Sequence, residues 1–241
     1  MRRERGLPKP VTKPVIILPV ATHRGHFITF EGLDGCGKST QMEKLANVLR
    51  AQGLSVLVTR EPGGTETGEK IRKLLLDTAT SGLSPMAELA LMFASRAQHI
   101  KELICPALAD GKIVLCDRFT DSTEAYQGGG RKLGSAPVLA LHRILCGNLQ
   151  PELTILMDSD VAHSVERARR RNRTRGKGES HEGRFEQENR AFFGRVRNAY
   201  LALAARDKQR VVLVDARGAV ADTHKKIVEI VRRKLKLAKT A

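Results

Sequence analysis

Residues 32–40 read Gly-Leu-Asp-Gly-Cys-Gly-Lys-Ser-Thr and concentrate the chemistry of this chain. Gly32, Gly35 and Gly37 let the backbone turn with its N–H groups pointing inward. With the start of a following helix, those donors form a site for a polyphosphate. In that setting Lys38 reaches the β- and γ-phosphates and the Ser39 hydroxyl holds Mg²⁺. The nucleoside-triphosphate loop is therefore read as Gly32, Leu33, Asp34, Gly35, Cys36, Gly37, Lys38, Ser39 and Thr40.

Two further segments carry charges suited to phosphate. Thr59-Arg60-Glu61-Pro62-Gly63-Gly64-Thr65 offers Arg60, whose guanidinium can fork onto an anion. Alone, Glu-Pro-Gly-Gly is only a turn. Asp117 closes an apolar run, where a Mg²⁺-associated carboxylate belongs in a phosphoryl-transfer enzyme. Arg118 follows and can clamp a second phosphate; a strand-end salt bridge is the plainer alternative for this pair.

These groups need a scaffold that brings them to one edge. Five apolar, β-branched runs, 27–31, 55–59, 113–117, 154–158 and 211–215, read as buried parallel strands separated by helical stretches. Three of them end in Asp, which fits carboxyl ends converging on a polar site. Met42, Leu45 and Leu49 share a face of the first helix, which Gly53 stops. This is an α/β pattern, and 241 residues suffice for a single full core.

Composition narrows the rest. No apolar run approaches the roughly 18 residues of a membrane-spanning helix. Cys36, Cys105, Cys116 and Cys146 form no C-x-x-C pair, so they read as thiols of a reducing cytoplasm rather than a disulfide frame or zinc site. The net charge is +16, and residues 1–25, 163–190 and 224–241 together hold all but one of it. Solvated ends explain such charge as well as a nucleic-acid footprint does, so nucleic-acid binding is set aside as the main function. Residues 1–25, with Pro8, Pro10, Pro14 and Pro19, read as a basic, flexible or loosely packed extension ahead of a domain at 26–241.

Glu-Gly-x-Asp-Gly-x-Gly-Lys-Ser-Thr from Glu31, Thr-Arg-Glu-Pro-Gly-Gly-Thr from Thr59 and Asp-Arg-Phe-x-x-Ser-x-x-Ala-Tyr-Gln-Gly from Asp117 stand in the order and spacing of one family. Over residues 27 to about 230 the chain resembles thymidylate kinase. The resemblance implies a three-layer P-loop nucleotide kinase fold with a five-stranded parallel sheet of order 2-3-1-4-5, flanking helices and a mobile lid. It implies ATP + dTMP → ADP + dTDP with Mg²⁺ in dTTP synthesis, by a cytoplasmic homodimer. Carried over residue by residue, Arg60 and Arg118 hold the dTMP phosphate. Asp34 lies near the sugar and the metal, with Ser39 and Asp117 as the other metal-site residues. Ser122, Thr123 and Gln127 contact the thymine edge, Tyr126 crowds the sugar 2′ position, and Arg96 hydrogen-bonds the base. Where the family stacks an aromatic on thymine this chain has Met92, with Phe93 one residue later; either covers the base, or Phe93 is simply core. Residues 163–185 match the lid. Cys36 stands where one branch of the family carries a loop arginine, so the chain is similar to the bacterial type that uses lid arginines, and Arg171 is the lid candidate for the transferred group. The catalytic set implied is Lys38, Arg118, Arg171 and Asp34.

The acceptor is a phosphate whose second pKa is near 6, so no general base is needed. Catalysis then reduces to positioning and positive charge. The rivals are another nucleotide or nucleoside kinase of the same fold, and a P-loop ATPase switched by nucleic acid.

Overall fold

A computed structural model describes residues 25–80, 82–175, 183–185 and 187–236, with the side chains of 171–175 outside that description. The expected extension thus falls, apart from Gly25, outside the described residues, as do 176–182 of the expected lid. The strands are β1 (His26–Gly32), β2 (Val56–Arg60), β3 (Ile113–Asp117), β4 (Leu153–Asp158) and β5 (Val211–Asp215). All pair in parallel in the order β2-β3-β1-β4-β5, as the resemblance implied. The helices are α1 (Lys38–Ala51), α2 (Glu66–Leu76), α3 (Pro85–His99), α4 (Cys105–Ala109), α5 (Thr120–Thr123), α6 (Ser135–Leu145), α7 (Val161–Arg175), α8 (Arg190–Arg206) and α9 (Val220–Leu235). A wider-wound turn, Ile100–Ile104, joins α3 to α4, and another, Glu124–Gly130, continues α5.

Alternation along the strands explains why helices cover both faces. In β1, Ile28 and Phe30 pack with Met42, Leu45 and Leu49 of α1 and Ile227 and Val231 of α9. Phe27 points the other way, into a cluster with Leu89 and Phe93 of α3 and Val138 of α6. Each fully buried side chain of this size stabilises the fold by about 1.5–3 kcal/mol. The same face continues into a third cluster, where Leu156 of β4 meets Phe192, Phe193, Val196 and Tyr200 of α8.

Register fixes where the polar residues emerge. Phe30 pairs with Asp117 and with Ile155, Arg60 pairs with Asp117, and Asp158 pairs with Asp215. The carboxyl ends of all five strands therefore share one edge. The chain order reverses there on either side of β1, the place where open parallel sheets leave a crevice.

Candidate active site

The loop after β1 is built for close approach. Gly32, Gly35 and Gly37 have φ of 132°, 82° and 99°, in the left-handed region that suits glycine. A Cβ on Gly35 would stand 2.3 Å from the Ser164 carbonyl oxygen of α7, so the loop rests directly on the first turn of that helix. Gly37 caps α1 without any side-chain bond, leaving the first-turn N–H groups turned toward an anion. Lys38 is buried beneath the loop, its Nζ donating to the carbonyls of Gly32 (3.2 Å) and Leu33 (2.9 Å). Leu33 and Cys36 turn their side chains into the core, so their part in the loop is played by backbone.

A cavity of about 750 Å³ opens above this loop. Asp34, Gly35, Gly37, Lys38, Ser39 and Thr40 form one wall, and Arg60, Glu61, Asp117 and Arg118 form another. Arg72, Arg167 and Arg170 complete it. Ser39 Oγ donates to Asp117 Oδ2 at 2.8 Å, while Asp117 Oδ1 is buried with no hydrogen-bond partner. That orphaned oxygen beside a hydroxyl fits a hard cation. Among the described residues no group of three or more His, Cys, Asp or Glu could enclose a metal, so phosphate oxygens and water would supply most of the ligands.

Arg118 is the most constrained cation here. Its φ is +72°, unusual for a side-chain-bearing residue. Its N–H bonds the Phe30 carbonyl at 2.9 Å, and the next N–H, of Phe119, bonds Glu31 Oε1 at 2.7 Å. Nη1 donates to Ser122 Oγ (2.9 Å) and Tyr200 OH (3.1 Å), and Nη2 to Asp34 Oδ1 (2.9 Å) and Tyr126 OH (3.2 Å). Glu31 also accepts from Ser122 Oγ (2.5 Å) and Tyr200 OH (3.0 Å). Burial, reinforced by Asp121, raises the Glu31 carboxyl to about 7 against the bonds from Ser122 and Phe119 and the charge of Arg118. Asp34, expected near the metal, is engaged with Arg118 and Tyr126. Arg60 Nη2 donates to both carboxylate oxygens of Glu69 at 2.9 and 3.0 Å, Arg72 Nη1 donates to the Pro62 carbonyl, and both arginines line the cavity.

Arg96, Thr123 and Gln127, expected on the base, are buried and stand outside this lining; Arg96 reaches it through Glu61. Arg96 Nε donates to Glu61 Oε2 at 2.6 Å and Nη2 to Thr123 Oγ1 at 2.9 Å. Burial disfavours its charge, yet adjacent Glu61 more than offsets that and holds the guanidinium above its ordinary pKa. Arg96 Nη1 is buried with no partner. Phe93 is fully buried in the cluster beneath α3, Arg96, Thr123 and Gln127 are buried as well, and the Arg96 guanidinium lies 4.8 Å from the Phe93 ring centroid. Met92 is half-buried and packs toward the cluster that contains Tyr126. Glu88, Met92 and Arg96 recur every four residues on one face of α3, and Phe93, three residues before Arg96, flanks that face on the core side. Gln127 Nε2 donates to Glu88 Oε1 at 2.7 Å, and the Gln127 Oε1 is buried without a partner.

A second cavity of about 430 Å³ lies on the other side of β1, lined by Gly35, Cys36, Ser159, His163, Arg167 and Arg217 among others. The two cavities meet at Gly35 and Arg167. Arg171 belongs to α7, but its side chain lies outside the description; among the described residues, Arg167 and Arg170 are the α7 arginines that line the first cavity.

Sequence reasoning missed Glu61, Arg72, Glu88 and Tyr200. Glu61 sits inside a recognised motif and Glu88 on the Arg96 face, so both carried a signal; Tyr200, on a distant helix, carried none.

A family model described as thymidylate kinase matches residues 30–227. The chain is 50% identical over 204 residues to a thymidylate kinase of Pelobacter propionicus, covering 85% of this chain and 92% of that one. Against a thymidylate kinase of Pseudomonas syringae pv. tomato it is 49% identical over 213 residues, 88% of this chain and 98% of that one. The crystal structure of thymidylate kinase from Ehrlichia chaffeensis superposes with a TM-score of 0.67 at 29% identity, covering 86% of this chain and 98% of the other.

Proposed function

This chain belongs to the thymidylate kinase family and phosphorylates dTMP in dTTP synthesis, and on that premise we propose the part each residue plays. The observation that carries the assignment is the single cavity joining the Gly32–Thr40 loop, the Ser39–Asp117 pair and the arginines 60, 118, 167 and 170.

ATP's β- and γ-phosphates lie on the loop N–H groups and Lys38. Ser39 and Asp117 hold Mg²⁺, with Asp34 nearby; the buried, unpartnered Asp117 Oδ1 supports this. When bound, the ion neutralises charge on the phosphate oxygens. With the phosphate chain over β1 and the acceptor arginines on the β2–β3 side, the nucleoside of ATP extends toward β4 and β5. The second cavity supports that direction.

Arg60 and Arg118 bind the dTMP phosphate. Arg118 exchanges its Asp34 carboxylate for substrate oxygens while Ser122 and Tyr200 hold its other nitrogen in place. Since the acceptor is already largely dianionic at neutral pH, no side chain abstracts a proton. The work is to align two anions and hold cations on the group in transit, by Lys38, Arg118 and a lid arginine, Arg171 or its neighbours. Closure of the lid excludes water that would otherwise hydrolyse ATP.

Between the α3 face and the Thr123–Gln127 turn, the unpaired Arg96 donor and Gln127 acceptor read the 4-oxo and N3–H edge of thymine. Met92 covers the ring and Tyr126 crowds the 2′ position. Ser122, bonded to both Arg118 and Glu31, serves the phosphate clamp more directly than the base edge. We further propose a cytoplasmic homodimer. Leu139, Ile144 and Leu145 of α6 and Met86 of α3 are exposed apolar groups on helices that pack together, and the four cysteines are free thiols. No described helix is long and apolar enough to cross a membrane.

The test is kcat/KM for dTMP, dUMP, UMP, AMP and GMP with ATP, followed as ADP release. dTMP should lead, with dUMP poorer by the one-methyl difference of about 1–3 kcal/mol. A preference for AMP, GMP or UMP would overturn the substrate reading.

A further inference from the structure

We propose that Glu88 is a specificity-positioning residue: it locks the Gln127 side-chain amide in one orientation and thereby makes the site reject cytosine. The inference rests on the base reading given above. Glu88 is fully buried on α3, and its carboxylate is shared by three elements. Gln127 Nε2 lies 2.7 Å from Oε1. Arg131 donates from Nε to Oε1 at 3.2 Å and from Nη2 to Oε2 at 3.1 Å. Arg184 Nη2 forms an ion pair with Oε2 at 2.7 Å, and Arg184 is itself anchored by Nε to the Leu75 carbonyl at 2.7 Å.

An ionised carboxylate only accepts hydrogen bonds, whereas a primary amide has one donating and one accepting end. The amide atom facing Glu88 must therefore be the nitrogen, and the oxygen must face away. That oxygen is the buried atom with no partner. A buried acceptor without a donor is destabilised, and a ligand N–H relieves that where a ligand lone pair does not. Thymine and uracil present N3–H beside a 4-oxo acceptor. Cytosine presents an N3 lone pair beside a 4-amino donor, the reverse of what Gln127 Oε1 and Arg96 Nη1 need. If Gln127 could turn over, it would present its NH₂ to cytosine N3 and half of that rejection would vanish. Two arginines hold Glu88 as an acceptor, so turning over would set the amide oxygen against a carboxylate.

Glu88→Gln is the direct test, because Gln can either donate to or accept from Gln127. The assay is kcat/KM for dTMP and dCMP in the full chain, with Tm recorded for each variant. In Glu88→Gln the dTMP:dCMP ratio should narrow by about tenfold or more, the weight of one mispaired hydrogen bond, through a raised KM for dTMP and a lowered one for dCMP. Glu88→Asp keeps the charge opposite Arg131 and Arg184 but draws the carboxylate back, and should narrow the ratio less. Arg131→Gln leaves the Glu88–Gln127 bond in place and should leave the ratio unchanged even if it lowers Tm. In a Gln127→Met background, which has no amide to orient, Glu88→Gln should no longer change the ratio. An unchanged ratio in whichever of the two Glu88 variants folds overturns the proposal, as does an equal narrowing in Arg131→Gln. A wild-type enzyme that uses dCMP as well as dTMP fails the base reading instead, before any variant is made.

Discussion

Replacing Tyr200 by Phe removes one oxygen atom from a buried network and keeps the ring packing of α8. That oxygen accepts from Arg118 Nη1 at 3.1 Å, contacts Ser122 Oγ at 2.7 Å and donates to Glu31 Oε2 at 3.0 Å. Without it, Arg118 Nη1 retains Ser122 and Glu31 Oε2 retains the same hydroxyl, so no charge is left wholly unpaired. The cost should be that of one charge-assisted bond, about 1.5–3 kcal/mol at most. We expect a tenfold fall in kcat/KM for dTMP, equivalent to about 1.4 kcal/mol, with KM for ATP within twofold of wild type. About 1–2 kcal/mol should appear in stability, a Tm lower by roughly 3–6 °C for a chain of this size. The deficit should depend on pH with a definite sign. The Glu31 carboxyl sits at about 7 in the fold against an ordinary 4.5. Its contribution to stability is therefore complete below pH 4.5 and lost as pH rises through about 7. Tyr200 donates to the ionised form, so its loss should lower Tm more at pH 8 than at pH 5. Steady-state assays with each substrate varied, and calorimetry at both pH values, decide the matter. A folded variant whose kcat/KM for dTMP stays within twofold, or whose loss falls on ATP, refutes Tyr200 as the support of Arg118.

Lys38→Ala should abolish turnover with a near-native Tm, and more than a tenth of wild-type kcat would refute its place on the phosphates. Single alanine variants at Arg167, Arg170 and Arg171 should include at least one whose kcat falls about 10²-fold, as for a cation on the transferred group; near-normal kcat in all three would refute the lid-arginine mechanism. His142 is buried neutral between Thr120 and Gln150; burial, with Arg96, lowers it from 6.5 to about 4. It should contribute about 3 kcal/mol that is lost as pH falls from about 6.5 to about 4, so urea unfolding of His142→Gln should fall less steeply with acid than wild type. Equal slopes would refute that.

What the sequence made legible was local. Strand positions came within a residue because parallel strands buried on both faces are continuous apolar runs, and the Gly32–Thr40 loop because few backbones other than glycine can take its turns. Arg60, Asp117 and Arg118 follow from their places at strand ends. Met92 and Phe93, four and three residues before Arg96, both fall on its side of α3, so the helical spacing alone did not separate them; only the depth of burial does. Tyr200 was not. It reaches Glu31 across 169 residues of chain, and nothing in α8 marks one of its buried aromatics as polar-facing. Glu88 and Glu61 were hidden for a related reason: a buried carboxylate is indistinguishable in sequence from an exposed one until its arginine is placed beside it.

The common direction of the five strands also sorts the chain's turns for protein engineering. Turns that leave a strand carry the chemistry, as at 33–37, 61–65 and 118–119. Turns that enter a strand, as at 52–55 and 146–152, lie at the opposite edge of the sheet. Gly53 and Gly147 sit in such turns with nothing within 4 Å of where a Cβ would be. A fluorescent domain spliced in at either position, or a two-fragment reporter divided there, should keep turnover, and loss of activity from an insertion at Gly53 would contradict this division of labour between the two edges. The same insertion at Gly64, where a Cβ would come 2.5 Å from His99 Nε2, should abolish it. The enzyme thus has an edge that can be wired to an optical readout and an edge that cannot.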